Sequence, residues 1–462
     1  MGDRYQFCSQ HRVGLALYEM AGCAGHRPLN EYGLSRLLLL LMENVLAVVE
    51  GECSQLIFGS SYWKMNRITN AMRRSYSKWF SHNRRAVGIT FLTRSLNSGG
   101  AETQLVALAK GLHGLGHSVR VVVFYADGPL ERVLRAAGIP VKVLRKGGRW
   151  DILRFLFRLI KVIHHQKPAI LHGYLVVPNI LTIILKIISP GSRIVWGVRS
   201  SNIDLSQYDW SARVLYRIEC ALARFSDLII VNSNAGLNYA LANGFPKARM
   251  IVIPNGIDAQ RFRPDSTARG KVREKWGVGD HTKAVGLVGR LDPMKDHATF
   301  IRAAASLIED RKDVRFICVG DGPSTYQEEL VRLCEELKAS DFFIFAGAAG
   351  NMPAVYNALD LLVSSSYGEG FSNAIGEAMA CNIPCVVTDV GDSRRIVGQN
   401  GHVVPAKNPE ALKTAIQLLL DKTDSTRGNR GEKIRQRIVN NFSVPKMVVA
   451  TETALLNTLK RP

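Results

Sequence analysis

From Ala86 onward the chain alternates short β-branched runs with helix-length segments, and it does so in two separate series. The first series reads AVGITFLT, VRVVVFYA, VKVL, AILH, RIVWGVRS, DLIIVNS and MIVIPN. The second reads KAVGLVGR, VRFICVGDG, DFFIFAG, DLLVSSS and PCVVTDV. Between them lies an irregular, proline-bounded stretch, PNGIDAQRFRP, at residues 254–264. Strands that read as continuous apolar runs are buried on both faces, as in parallel sheets covered by crossover helices. The pattern therefore predicts an α/β protein with two doubly wound, Rossmann-like domains. Ligand is expected in the cleft that the carboxyl ends of the two sets of strands face. The chain has 462 residues, more than one hydrophobic core usually supports, which agrees with two domains. The expected boundaries are an extension at 1–85, a first domain at 86–260, a second at 261–445 and a closing helix at 446–462.

Composition removes several classes. Eight Cys without a CxxC pair exclude a disulfide scaffold and a zinc ribbon, and reduced thiols point to a cytoplasmic setting. With 47% hydrophobic and 21% charged residues the chain is globular. The formal net charge is +21, and residues 86–265 carry most of it, with 23 Lys and Arg against 10 Asp and Glu. Such a field suggests an anionic partner: a phosphorylated substrate, an acidic membrane surface or nucleic acid. No helix-turn-helix or RNA-binding motif accompanies it, so nucleic acid is not expected.

The first 85 residues read poorly as a domain. Their one apolar run, at 37–49, is interrupted by Glu43 and Asn44 and is too short to span a bilayer. The stretch 62–85 mixes Trp63, Tyr76, Trp79 and Phe80 with seven Lys and Arg, which suits a membrane interface. An unstructured extension, or a true start at Met65 or Met72, fits equally. Residues 150–164, WDILRFLFRLIKVIH, place Leu153, Phe157 and Ile160 along one side and Arg154, Arg158 and Lys161 along another. That is either an interfacial amphipathic helix or an ordinary helix packed on the sheet. Residues 180–188 add a second apolar stretch.

Three loops follow strands and carry chemistry. In NSGGAE, Gly99 and Gly100 let the backbone approach a ligand, and the helix that opens there offers free N–H groups to a phosphate. In GRLDPMKD, Arg290 can fork onto two phosphate oxygens while Lys295 supplies a compact charge. In YGEGFSNAIGE, Glu369 precedes a helix that contains Glu377, and the N–H groups of Gly370, Phe371 and Ser372 lie at its start. Carboxylates of this kind accept from sugar and ribose hydroxyls.

These motifs, with VIPNGID (252–258), VGDGP (319–323), AMACNIPCVVTDVG (378–391) and NGHVVPAKNPEAL (400–412), occur in one order over about four-fifths of the chain. The whole resembles the family-4 retaining glycosyltransferases (glycosyl transferase group 1) of the GT-B fold. The resemblance implies sugar transfer from a nucleotide-diphosphate donor with retained configuration and no metal or other cofactor. UDP is the first expectation for the base, because it is the commonest donor among the relatives. By the same resemblance Arg290 and Lys295 hold the diphosphate, Glu377 the ribose, and Glu369 with the backbone of 370–372 the transferred sugar. Gly100 is similar to the position where the first domain meets the phosphate. His172 matches the first His of a His-x-His run, with Tyr174 and Val177 at further positions that are often His, and it joins Glu369, Arg290 and Lys295 as a catalytic candidate. Arg395 stands where many relatives carry an acid. The resemblance also implies that residues 442–459 form a helix returning to the first domain. The acceptor implied is a saccharide or polyprenyl-phosphate-linked saccharide in surface polysaccharide assembly, met at the cytoplasmic face of an anionic membrane. The alternatives are a sugar-nucleotide epimerase of the same fold, which needs no acceptor, and a non-catalytic basic membrane or nucleic-acid binder.

Overall fold

Continuous apolar runs flanked by helices close the central strands to solvent, the edge strands at 141–143 and 250–252 staying partly exposed, and both series of strands are parallel. The computed structural model describes residues 86–97, 99–148, 151–199 and 210–460. The readings made for residues 1–85, including the run at 37–49, the aromatic–basic stretch at 62–85 and the alternative starts, lie outside these, as does Trp150.

The first series forms a seven-stranded sheet of order β3-β2-β1-β4-β5-β6-β7. Its elements are β1 (Gly88–Thr93), α1 (Gly100–Gly114), β2 (Ser118–Val123), α2 (Pro129–Ala136), β3 (Val141–Val143), α3 (Ile152–Gln166) and β4 (Ile170–Tyr174). There follow α4 (Val176–Lys186), β5 (Arg193–Val198), α5 (Trp210–Leu222), β6 (Leu228–Val231), α6 (Asn234–Ala242) and β7 (Met250–Val252). One face of this sheet packs on α1, and the other packs on α3 through Phe155, Leu159 and Ile163.

The second series forms a six-stranded sheet of order β10-β9-β8-β11-β12-β13. It runs α7 (Ser266–Trp276), β8 (Lys283–Val288), α8 (His297–Asp310), β9 (Val314–Val319), α9 (Ser324–Glu336), β10 (Phe343–Gly347), α10 (Met352–Ala358) and β11 (Leu361–Ser364). It continues through α11 (Asn373–Ala380), β12 (Cys385–Thr388), α12 (Ser393–Val397) and β13 (His402–Val404) to α13 (Pro409–Phe442). The edge strand β13 is an addition to the five strands expected. All named strand pairs in both sheets are parallel.

The last helix, α14 (Val444–Leu459), leaves the second sheet and packs on α1 of the first, with Met447, Val448, Ala454 and Leu455 in that core. Gly111 makes the approach: a Cβ there would fall 2.3 Å from Val448 Cγ2. Buried Glu452 bonds His117 Nε2 at 3.0 Å, while the Val87 N–H donates to His117 Nδ1. At the start of α14 the chain runs beside residue 257, where the Ile257 N–H donates to the Phe442 carbonyl at 2.7 Å and the Val444 N–H to the Ile257 carbonyl at 3.2 Å. The fold is thus two parallel-sheet α/β domains with a helix that crosses back, as the sequence led one to expect.

Candidate active site

Four chain segments meet where the two sheets present their carboxyl edges. The first is the turn after β1. Gly99 caps α1 in an extended conformation and lends no side chain to the helix N–H groups. Gly100, at the first position of the helix, is exposed and faces the second domain: Asn373 Nδ2 donates to its carbonyl at 3.4 Å.

The second segment is the loop after β8. Two glycines of the neighbouring VGDGP turn allow it to lie flat. A Cβ on Gly320 would sit 1.9 Å from the Gly289 carbonyl oxygen, and one on Gly322 2.2 Å from that of Leu291. Arg290 projects with 74% of its side chain exposed and reaches Asp292 at 3.2 Å. Lys295 is held differently. Its ammonium is paired with the Glu369 carboxylate, and its carbonyl accepts from Ser365 Oγ at 2.9 Å. Lys295 is therefore anchored, and it ties the phosphate candidate to the sugar candidate.

The third segment is the loop into α11. Glu369 also accepts from Ser366 Oγ at 3.1 Å. Phe371 turns its ring inward against Phe442, 5.4 Å between centroids, so that only its backbone is offered to a ligand. Ser372 precedes α11 without capping it through its side chain, which leaves the first-turn N–H groups without that partner. Glu377 lies on the helix, half-buried, and accepts from the Tyr356 hydroxyl at 2.8 Å. Burial pushes its pKa up to about 7, against the pull of the Tyr356 hydrogen bond and the Arg261 charge. Gly391, with φ +59°, packs against this loop, where a Cβ would meet the Glu369 carbonyl oxygen at 2.4 Å.

The fourth segment is the end of β4, and here the structure corrects an expectation. His172 is fully buried between Phe91 and Tyr174, whose ring centroids lie 5.0 and 5.6 Å away. Among the described residues neither of its ring nitrogens has a hydrogen-bond partner, and burial, helped by the Arg199 charge, lowers its pKa to about 3. It is neutral near pH 7 and fully enclosed in this structure. Its place is in the core.

Several side chains that the sequence did not single out complete the site. Asn255 Nδ2 donates to Asn373 Oδ1 at 2.8 Å, which joins the PNG turn of the first half to α11 of the second. The Gln104 side chain brackets Gly256, accepting from its N–H and donating to its carbonyl. Asp392, 4% exposed, accepts from the backbone N–H groups of Asn234 and Ala235 at the start of α6, across the cleft, and from Arg395 at 3.1 Å. Arg395 is thereby the partner of an acid three residues before it. Asn255 and Asn373 stood inside recognised motifs, so their presence was visible and their pairing was not. Among the described residues no group of three or more His, Cys, Asp or Glu gathers as a metal-binding set.

Two parallel-sheet domains that place glycine-opened helix ends, paired cations and two glutamates on facing edges define a GT-B glycosyltransferase. The comparisons with known proteins agree. Residues 98–261 match the family model Glycosyltransferase Family 4, and residues 282–422 match Glycosyl transferases group 1. The chain belongs to the glycosyltransferases that join these two domains. It is 24% identical over 309 residues to N-acetyl-alpha-D-glucosaminyl L-malate synthase of Bacillus anthracis, covering 66% of this chain and 78% of that protein. It is 27% identical over 205 residues to the UDP-Gal:alpha-D-GlcNAc-diphosphoundecaprenol alpha-1,3-galactosyltransferase of Escherichia coli, 43% of this chain and 52%, about half, of that one. Among solved structures, Anabaena Alr3699/HepE in complex with UDP-glucose superposes with a TM-score of 0.71 at 24% identity, over 80% of this chain and 100% of that one. That likeness shows the fold.

Proposed function

We propose that this glycosyltransferase moves a sugar from a nucleotide-diphosphate donor, UDP first among the bases, to a saccharide or lipid-linked acceptor, with retention and without a metal. The observation that carries the reading is the Lys295–Glu369 pair, whose Glu369 lies four residues ahead of a helix start, Asn373, that itself touches the helix start at Gly100. An anion placed there faces Arg290, Lys295 and the N–H groups of both helices, and the sugar attached to it falls beside Glu369. We assign the acceptor to residues 86–260 and the donor to 261–445, with 446–462 as the returning helix. The complexes of HepE with UDP and with UDP-glucose, and the UDP-Gal in the name of the Escherichia coli relative, support this choice of donor.

In the transfer, the bond from the anomeric carbon to the diphosphate oxygen breaks and its electron pair leaves with the diphosphate. An acceptor hydroxyl oxygen bonds to the same carbon from the face just vacated, and its proton passes to the leaving phosphate oxygen. Arg290, Lys295 and the helix N–H groups stabilise the growing negative charge. Binding measured against UDP-, GDP-, ADP- and CMP-sugars tests the donor, and product analysis with donor alone separates transfer from epimerisation. Arg290→Ala is expected to lower donor turnover at least tenfold, by about 1.4 kcal/mol or more. Unchanged turnover removes the phosphate clamp.

The same reading includes a peripheral membrane position. No helix among the described residues is long and apolar enough to cross a membrane. Helix α3 packs on the sheet through one face, yet Leu153 and Phe157 stay 82% and 67% exposed beside Arg154 and Lys161, and Ile187 after α4 is also 82% exposed. Apolar tips among cations suit an anionic bilayer surface. Co-sedimentation with phosphatidylglycerol vesicles at low salt, lost on Leu153→Glu/Phe157→Glu, is the expected result. Failure of the wild type to sediment ends this part of the proposal.

A further inference from the structure

Arg199 follows the last residue of β5, at the same carboxyl edge of the sheet as the Gly99–Gly100 turn after β1. Its guanidinium stacks over the Tyr174 ring, 4.7 Å from the centroid, and one terminal nitrogen donates to Asn255 Oδ1 at 3.0 Å. The line continues through Asn255 Nδ2 to Asn373 Oδ1 and from Asn373 Nδ2 to the Gly100 carbonyl. Arg199 is thus fixed by side-chain hydrogen bonds to both helix starts of the candidate site. Among the described residues its buried Nε finds no hydrogen-bond partner, and neither does the hydroxyl of Tyr174, a residue 1% exposed.

The charges make the comparison informative. Arg290 already carries Asp292, and Lys295 already carries Glu369. The partners of Arg199 among the described residues are an amide oxygen and an aromatic ring, both neutral. A half-buried guanidinium that none of these partners neutralises keeps attraction for an incoming anion, although the Glu102 carboxylate acts on the same Tyr174, and its remaining N–H groups form a planar fork that matches phosphate.

We propose that Arg199 supplies the first domain's cation to the leaving diphosphate, closing across the cleft a clamp whose other side is Arg290 and Lys295. The inference rests on the donor reading above. When the bond between anomeric carbon and diphosphate oxygen breaks, the electron pair that stays on the diphosphate lies within reach of this fork. Asn255 holds the guanidinium and Tyr174 supports its flat face, so little ordering remains for the moment of reaction.

The test uses the full chain carrying Arg199→Met and, as a variant that keeps stem and charge, Arg199→Lys. Titrations with free UDP, GDP and inorganic pyrophosphate, each at low and high salt, are read beside acceptor-independent donor hydrolysis. Arg199→Met is expected to weaken nucleoside diphosphate binding about 10- to 100-fold, to flatten its salt dependence and to slow donor hydrolysis, while uridine binding stays as it was. Arg199→Lys, lacking the fork, is expected to lose a smaller factor of about 3 to 10. Undiminished diphosphate affinity and donor hydrolysis in both variants, with transfer to acceptor alone reduced, overturns the proposal and gives Arg199 to the acceptor. If the wild-type chain binds none of the nucleoside diphosphates, the donor reading itself falls, and that result is distinct from a defect confined to the variants.

Discussion

At Glu377 the protein holds a carboxyl group whose ionisation falls inside the working pH range. Burial lifts its pKa to about 7, and the Tyr356 hydroxyl, donating to Oε2 at 2.8 Å, opposes the rise by stabilising the carboxylate. Removing that hydroxyl moves the pKa further up, so the ionised form, which on the proposed reading accepts the donor's ribose hydroxyls, appears only at higher pH. Tyr356→Phe is therefore expected to raise the donor KM several-fold at pH 7 with little change in kcat, and to converge on the wild type near pH 8.5. A KM profile from pH 5.5 to 8.5 checks this, and parallel profiles with a common midpoint reject the positioning role. The motifs holding Arg290, Lys295, Glu369 and Glu377 were visible in the sequence. Residue state was not. That His172 is enclosed between Phe91 and Tyr174, and that Lys295 is bound to Glu369, depend on neighbours 81 and 74 positions away, which no local pattern encodes.

Among the elements, the strands were readable wherever burial was continuous. β8 and β12 are runs of apolar residues closed in on both faces, and each was visible as such. β13 escaped because it is three residues long, sits at the sheet edge and begins with His402; of its three residues only Val404 is fully buried. The returning helix α14 was expected, but its means of attachment was not. Its contact with α1 depends on the missing side chain at Gly111 and on a buried hydrogen bond between His117 and Glu452. Gly111→Ala sets a methyl group inside the Val448 side chain, and overpacking of this kind costs about 1–3 kcal/mol. Although alanine favours helix over glycine by about 1 kcal/mol, the clash is expected to win, and the midpoint of urea unfolding should fall. A compensating Val448→Ala should recover part of the loss. A Gly111→Ala variant as stable as the wild type shows that α14 can shift without penalty.

At the scale of the two domains, the two sheets follow from two series of strands, and no pattern in either series encodes the contacts that join them across the cleft. The join is polar and sparse: Asp392 on the start of α6, Asn373 on Gly100, and Asn255 on Asn373. Asp392 places its negative charge against the positive end of a helix dipole, and a carboxylate so placed is worth about 0.3–2 kcal/mol. Asp392→Ala is accordingly expected to raise the radius of gyration of the ligand-free chain in small-angle scattering and to leave that of the donor complex unchanged. Equal scattering in both states assigns Asp392 to local packing alone. A last consequence concerns the place where residues 256–258 run beside residues 442–444. Here the outgoing and returning crossings of the chain are hydrogen-bonded to each other, so the two halves hang on one short double thread. Any turning of one half on the other must take this line as its axis. Cutting the chain after Phe442 would remove one strand of the thread and the restraint on direction together, leaving the halves free to twist as well as to open.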